Sequence, residues 1–140
     1  MVQNIGKSEV FPPEGIHQKF VLERDNTPDL RFEGFHIATI TTKPVQRAIG
    51  AVGTTYSGVR SAESGSGRWF EYEIYVAYVG DDRKKYVVEK IGCSAIPGEK
   101  KRREVLVFDS GAKLARELGA TPEWKAIYRG AHIDIAEDLQ

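Results

Sequence analysis

A chain of 140 residues is the size of one domain and can bury most of the surface its unfolded form exposes, so no disulfide framework is required. Hydrophobic residues make up 41% and charged residues 29%, which excludes the charge-rich, apolar-poor composition of a disordered chain. Twenty basic side chains balance twenty acidic ones, so the long-range pull of a basic protein on a polyanion is excluded and any nucleic-acid contact must be local.

The single cysteine, Cys93, cannot form an internal disulfide, and the opening Met-Val-Gln-Asn-Ile-Gly lacks the basic and apolar regions of a secretory signal. Apolar stretches such as Val105 to Phe108 fall far short of the roughly 20 residues that span a bilayer. A cytoplasmic protein with no membrane contact is expected.

Residues 1–15, with Gly6, Pro12, Pro13 and Gly15, show no periodicity and read as a flexible N-terminal arm; 16–140 read as a single domain. Ile16 to Leu22 suits a strand, and the turn formers from Arg24 to Asp29 around Pro28 suggest a loop after it. In the next strand Leu30 and Phe32 share one parity and Phe35 and Ile37 the other, so a bulge near Gly34 is expected to restore one continuous apolar face. Val45, Ala48, Ile49 and Val52 recur at helical spacing, with Thr42 as cap. The Gly/Ser-rich stretch 53–67 has no apolar pattern and is expected to be a mobile loop.

Trp69 to Val79 alternates cleanly: Phe70, Tyr72, Ile74, Val76 and Tyr78 on one face, Trp69, Glu71, Glu73, Tyr75, Ala77 and Val79 on the other. Gly80 to Asp82 is a turn signal and Lys85 to Ile91 the returning strand of an antiparallel hairpin. Pairing Val76 with Tyr86 and Ile74 with Val88 collects the apolar residues, although it sets Glu73 opposite Glu89. A shift by one sets Glu73 opposite Lys90 and dilutes the apolar face, so the register stays open with the first pairing favoured. The continuous run Val105 to Phe108 reads as a central strand covered on both faces. Asp109 or Ser110 caps a helix with Leu114, Ala115 and Leu118 on its apolar stripe, stopped by Gly119. Thr121 and Pro122 start a second helix that buries Trp124, Ile127 and Tyr128. Strands first and helices last predict an α+β fold, a mostly antiparallel sheet with C-terminal helices on one face.

The run Asp25 to Gly34, with Gly67 to Glu71, Lys85 to Val87 and Leu114 to Leu118, resembles small uncharacterised proteins carried on bacterial plasmids and integrative elements. That resemblance implies a bacterial mobile-element setting and no activity. Glu71 and Glu73, two positions apart on the same strand face, also look like the paired strand glutamates of ADP-ribosyltransferases, with Arg60 and Ser61 to Ser66 a poor match to the rest of that pattern.

Two local basic patches stand out, Arg83, Lys84 and Lys85 at the hairpin turn and Lys100, Lys101, Arg102 and Arg103 before the last strand. With Trp69 and Tyr75 they are the candidate partner-binding residues, since an aromatic, basic sheet can stack bases and hold phosphates; the competing reading has the aromatics in the core and the cations as solubilisers. Glu71 and Glu73, joined by Glu89 in the favoured register, are the alternative catalytic pair, because crowding would raise at least one carboxyl pKa; the commoner reading is a wet strand face. His17, His36 and His132 lack metal-site spacing, and Cys93 has no histidine placed beside it, so neither a metal nor a cofactor is expected. Gly50, Gly53, Thr54 and Thr55 make a poor phosphate cradle without a Walker lysine. The expected function is a non-catalytic binding module that engages a nucleic acid or a protein, with a sheet edge open to homo-oligomer formation. The alternatives are a small enzyme using Glu71 and Glu73 on a nucleotide cofactor, or an inhibitor or immunity-like protein.

Overall fold

A computed structural model describes residues 17–43, 55–56, 58–59, 67–80, 83–137 and 139. Among them the strands are β1 (Gln18–Arg24), β2 (Thr27–Thr41), β3 (Thr55–Tyr56), β4 (Arg68–Tyr78), β5 (Lys84–Ser94) and β6 (Arg102–Phe108), followed by helices α1 (Gly111–Leu118) and α2 (Pro122–Gly130). The sheet runs β1-β2-β4-β5-β6 with every neighbour antiparallel, and short β3 pairs in parallel with Thr39 and Ile40 of β2. This is the α+β architecture predicted from the order of elements.

The β4–β5 hairpin adopts the register in which Val76 meets Tyr86, Ile74 meets Val88 and Glu73 meets Glu89. One face of it, extended by Ile37 and Ile40, packs against Leu114, Trp124, Ile127 and Tyr128 of the helices. The Ser110 hydroxyl accepts the Lys113 N–H at 3.2 Å, closing the first turn of α1, and Thr121 does the same for α2 through the Trp124 N–H. Gly119 ends α1, its N–H returning to the Ala115 carbonyl. No described helix is long and apolar enough to cross a membrane.

The opposite face is also covered, because the sheet curls until the end of β1 reaches the start of β6. The Asp25 N–H donates to the Arg103 carbonyl at 3.3 Å, and the Arg103 N–H to Asp25 Oδ2 at 2.9 Å. Inside the curl Leu22, Tyr75, Ala77 and Val87 form a second core with Phe20, Leu30, Phe32 and Val105 against it. This explains β2. Its register shift falls between His36 and Ala38, beyond Gly34, and it does not unite the apolar residues on one face: Leu30 and Phe32 serve the second core, Ile37 and Ile40 the first. Gly34 has a separate role, since a Cβ there would overlap the Val76 carbonyl of β4.

Other expectations are corrected. The 24–29 loop shrinks to Asp25 and Asn26, because Asn26 takes the left-handed φ of 63° that a tight turn needs, and Thr27 to Asp29 join β2. β6 is an edge strand, not a central one. Its apolar run is shared between two faces, Val105 packing toward the inner core and Leu106 and Phe108 toward the helices, while Val107 stays 48% exposed at the edge. In 53–67, Val59 is buried in the main core and Tyr56 packs on it, so that stretch has more burial than its composition suggested. The N-terminal arm, the helix over Val45 to Val52 and the rest of the Gly/Ser stretch lie outside the described residues.

Candidate functional site

Strand alternation carries Glu71, Glu73 and Tyr75 of β4, Glu89 of β5 and Arg103 of β6 to the inside of the curl, and β2 adds His36 and Thr39. Thr39 donates its hydroxyl to Glu73 Oε1 at 2.7 Å, and His36 Nε2 lies 2.7 Å from the same oxygen. Arg103 Nη1 donates to Glu89 Oε2 at 3.3 Å. The Glu89 side chain is 9% exposed and that of Glu73 25%, so the expected wet face is in fact a partly buried polar cluster. Glu71 is half-buried and accepts the Trp69 indole N–H at 3.4 Å.

The two carboxylates are driven in opposite directions. Burial pushes both up. At Glu73 the hydrogen bonds from His36 and Thr39 and the imidazole charge together outweigh it, holding that carboxyl below its ordinary range. At Glu89 burial wins over the charge and hydrogen bond of Arg103, helped by Glu73 and Glu23, and the carboxyl sits above its ordinary range. The Tyr75 phenol, buried and near both carboxylates, is pushed up to about 12. Chemically the arrangement pairs an ionised carboxylate with one that protonates more readily, the polarity of an acid–base pair.

The basic residues divide between the two ends of the sheet. Arg83, Lys84 and Lys85 lie at the β4–β5 turn, where Lys85 pairs with Asp109 at 3.1 Å. Lys100 to Arg103 lie at the far end of β5, about 33 Å away along the strand at ~3.3 Å per residue. Strand parity then splits this second run. Lys100, Lys101 and Arg102 stay exposed, whereas Arg103, expected in solvent, is half-buried on Glu89.

At that end a cleft of about 620 Å³ opens, lined among others by Arg68, Phe70, Gly92, Lys100 and Arg102. A smaller one of about 250 Å³ shares Phe70, Gly92 and Arg102 with it and adds Arg103, Glu104 and Lys90, whose ammonium lies 4.6 Å from the Phe70 ring centroid. Arg68 is held by Glu99 at 3.1 Å through its Nε. Trp69 also lines the larger cleft, with the Lys43 ammonium 4.7 Å from its ring centroid.

Of the sequence candidates, Lys100, Arg102 and Trp69 therefore meet at one cleft. Tyr75 is a core residue stacked edge-on with Phe20 at 4.8 Å and leaves the binding set. Cys93 is buried, and burial pushes its thiol up. Sequence reasoning missed Phe70, Gly92, Lys90, His36 and Arg68. One signal was present: a glycine inside a strand marks a bulge or the close approach of something else. No known protein family matches this chain, nor does any curated protein or solved structure.

Proposed function

We propose that the protein is a non-catalytic module that binds nucleic acid through the cleft at the β5–β6 end of the sheet. The observation carrying this reading is the convergence of Lys100 and Arg102 with Phe70 at one cleft in a chain of zero net charge. Local cations supply the phosphate contacts that the global charge does not, and an aromatic side chain offers a base-stacking surface. Lys101, exposed in the same turn, adds to that local charge. The bacterial mobile-element setting implied by the resemblance is one in which such a module would meet nucleic acid.

Replacing Lys100, Lys101 and Arg102 together by Gln tests the reading, with Arg103 kept for its pairing to Glu89. Fluorescence polarisation with labelled oligonucleotides at two salt concentrations should show wild-type affinity falling with salt, and the triple variant weaker with a slope reduced by up to about three phosphate contacts. Absence of binding at low salt would overturn the proposal and leave a protein partner as the better reading.

A second reading, a small enzyme, is favoured by one observation: Glu73 and Glu89 face each other across β4 and β5 with their carboxyls driven apart. Carboxyl-carbon NMR titration should find Glu89 titrating above Glu73. Coincident, ordinary titrations would remove the basis for this reading.

A further inference from the structure

Two strand glycines invite comparison. Gly34 is explained by backbone, since a Cβ there would strike the Val76 carbonyl. Gly92, in the interior of β5, has no such reason. Its φ is not in the left-handed region, and a Cβ would meet only side chains at ordinary contact distances, Phe70 Cε1 at 3.7 Å and Arg102 Nε at 3.8 Å. A glycine that neither φ nor backbone contact requires weakens a strand without return, unless something else occupies the space over it.

That space is a slot floored by Gly92, with the Phe70 ring on one side and the Arg102 guanidinium on the other. It opens into the larger cleft beside Lys100 and into the smaller one beside Lys90. The combined site is a recess. Duplex DNA is read by elements that protrude into a groove, whereas a recess with an aromatic wall takes a base that has left its stack. A planar base against Phe70, with its phosphate between Arg102 and Lys100, uses each group for what it does well: π stacking from the ring, charge from the guanidinium and ammonium.

From this geometry we infer that the cleft holds one unpaired nucleotide over Gly92, so that the ligand is a single strand. The inference rests on the nucleic-acid reading above and narrows it. A side chain at position 92 fills the slot while leaving every charge in place.

The test compares labelled ten-residue oligo-dT, oligo-U and a duplex of the same length against wild type, Gly92→Leu and Gly92→Ala, at two salt concentrations, with thermal melts of each variant. Wild type should bind at least one single strand about tenfold or more tighter than duplex, given typical stacking contributions. Gly92→Leu should lose that preference with its salt slope unchanged, and Gly92→Ala, whose Cβ fits at ordinary contact, should lose part of it even where the leucine variant does not fold. Equal affinity of wild type for single strand and duplex, or undiminished preference in a folded Gly92→Leu protein, would overturn the inference while the salt-dependent binding still stood. Loss of all binding at low salt in wild type would remove the nucleic-acid reading itself.

Discussion

Arg103→Met separates the two parts Arg103 plays. Its backbone clasp with Asp25 survives the substitution, because both bonds use main-chain atoms of residue 103. What is lost is the guanidinium on Glu89, leaving a carboxylate that is 9% exposed facing Glu73 across the hairpin. Breaking one side of a fully buried pair costs about 3–5 kcal/mol. Here Arg103 is 35% exposed and the contact, at 3.3 Å, is longer than the ~2.8 Å of a strong charge-assisted bond, so about 2 kcal/mol is expected. Most of that is the stranded charge. Adding Glu89→Gln should therefore recover about 1 kcal/mol in urea unfolding at pH 7, a coupling well outside the additivity of independent sites. Lowering the pH should shrink the Arg103→Met deficit in the same way, since burial already inclines Glu89 to take a proton. Additive losses in the double variant, with a deficit indifferent to pH, would show that water solvates Glu89 and that the curl does not enclose it.

Leu114, fully buried between α1 and the sheet, should lose roughly 3–4 kcal/mol on truncation to Ala, whereas exposed Lys113→Ala should change stability by less than about 0.5 kcal/mol; equal small losses in urea melts would mean that α1 is not docked as described. The carboxylates also set the acid limb of the stability curve. Glu73, with its folded pKa lowered, contributes stability that is present above the ordinary carboxylate range and lost as pH falls through the lowered value, so Thr39→Val, which deletes one donor, should move acid unfolding to higher pH by circular dichroism. Glu89 has the opposite sign: its raised pKa makes ionisation unfavourable to the fold, and the wild type gains relative to Glu89→Gln as pH falls through that value. An unchanged acid midpoint in Thr39→Val would contradict the assignment at Glu73.

The hairpin, both helices and their caps were legible in the sequence because their signals are local: alternation from Trp69 to Ala77, a serine and a threonine three residues before the N–H groups they cap, a glycine at the stop. The curl was not legible, because it is a property of the whole sheet. Without it, the mixed parity of β2 looked like a defect to be repaired by a bulge, and the apolar run of β6 looked like a central strand. Both come from a sheet that packs apolar residues on each of its two faces. The same omission turned Glu71 and Glu73 into surface groups. The register that gathers them with Glu89 was favoured by apolar pairing but opposed by the like charges of Glu73 and Glu89, so local pattern alone did not fix it. His36 was invisible as their neighbour since it lies 37 residues from Glu73 and meets it only through the β2–β4 ladder.

The run Lys100 to Arg103 shows why composition was a poor guide to the site. Residues 102 and 103 are consecutive on β6, so the pleat sends them to opposite faces: Arg102 to the outer cleft beside Phe70 and Gly92, Arg103 inward to Glu89. A single basic stretch thus does two different jobs. Its last member neutralises a buried carboxylate and helps join the edges of the curled sheet, while the three before it remain outside as local positive charge. A one-residue slip of β6 would set either Arg103 opposite Gly92 or Arg102 opposite Ile91, so only one of the slot and the inner cluster would keep a guanidinium. The pairing of Glu89 with Val105 and of Gly92 with Arg102 in one ladder therefore ties the stability of the inner cluster to the shape of the outer cleft. This is a structural reason why zero net charge is compatible with a strongly basic local surface: part of the acidic complement is spent inside the curl, out of reach of any ligand at the rim.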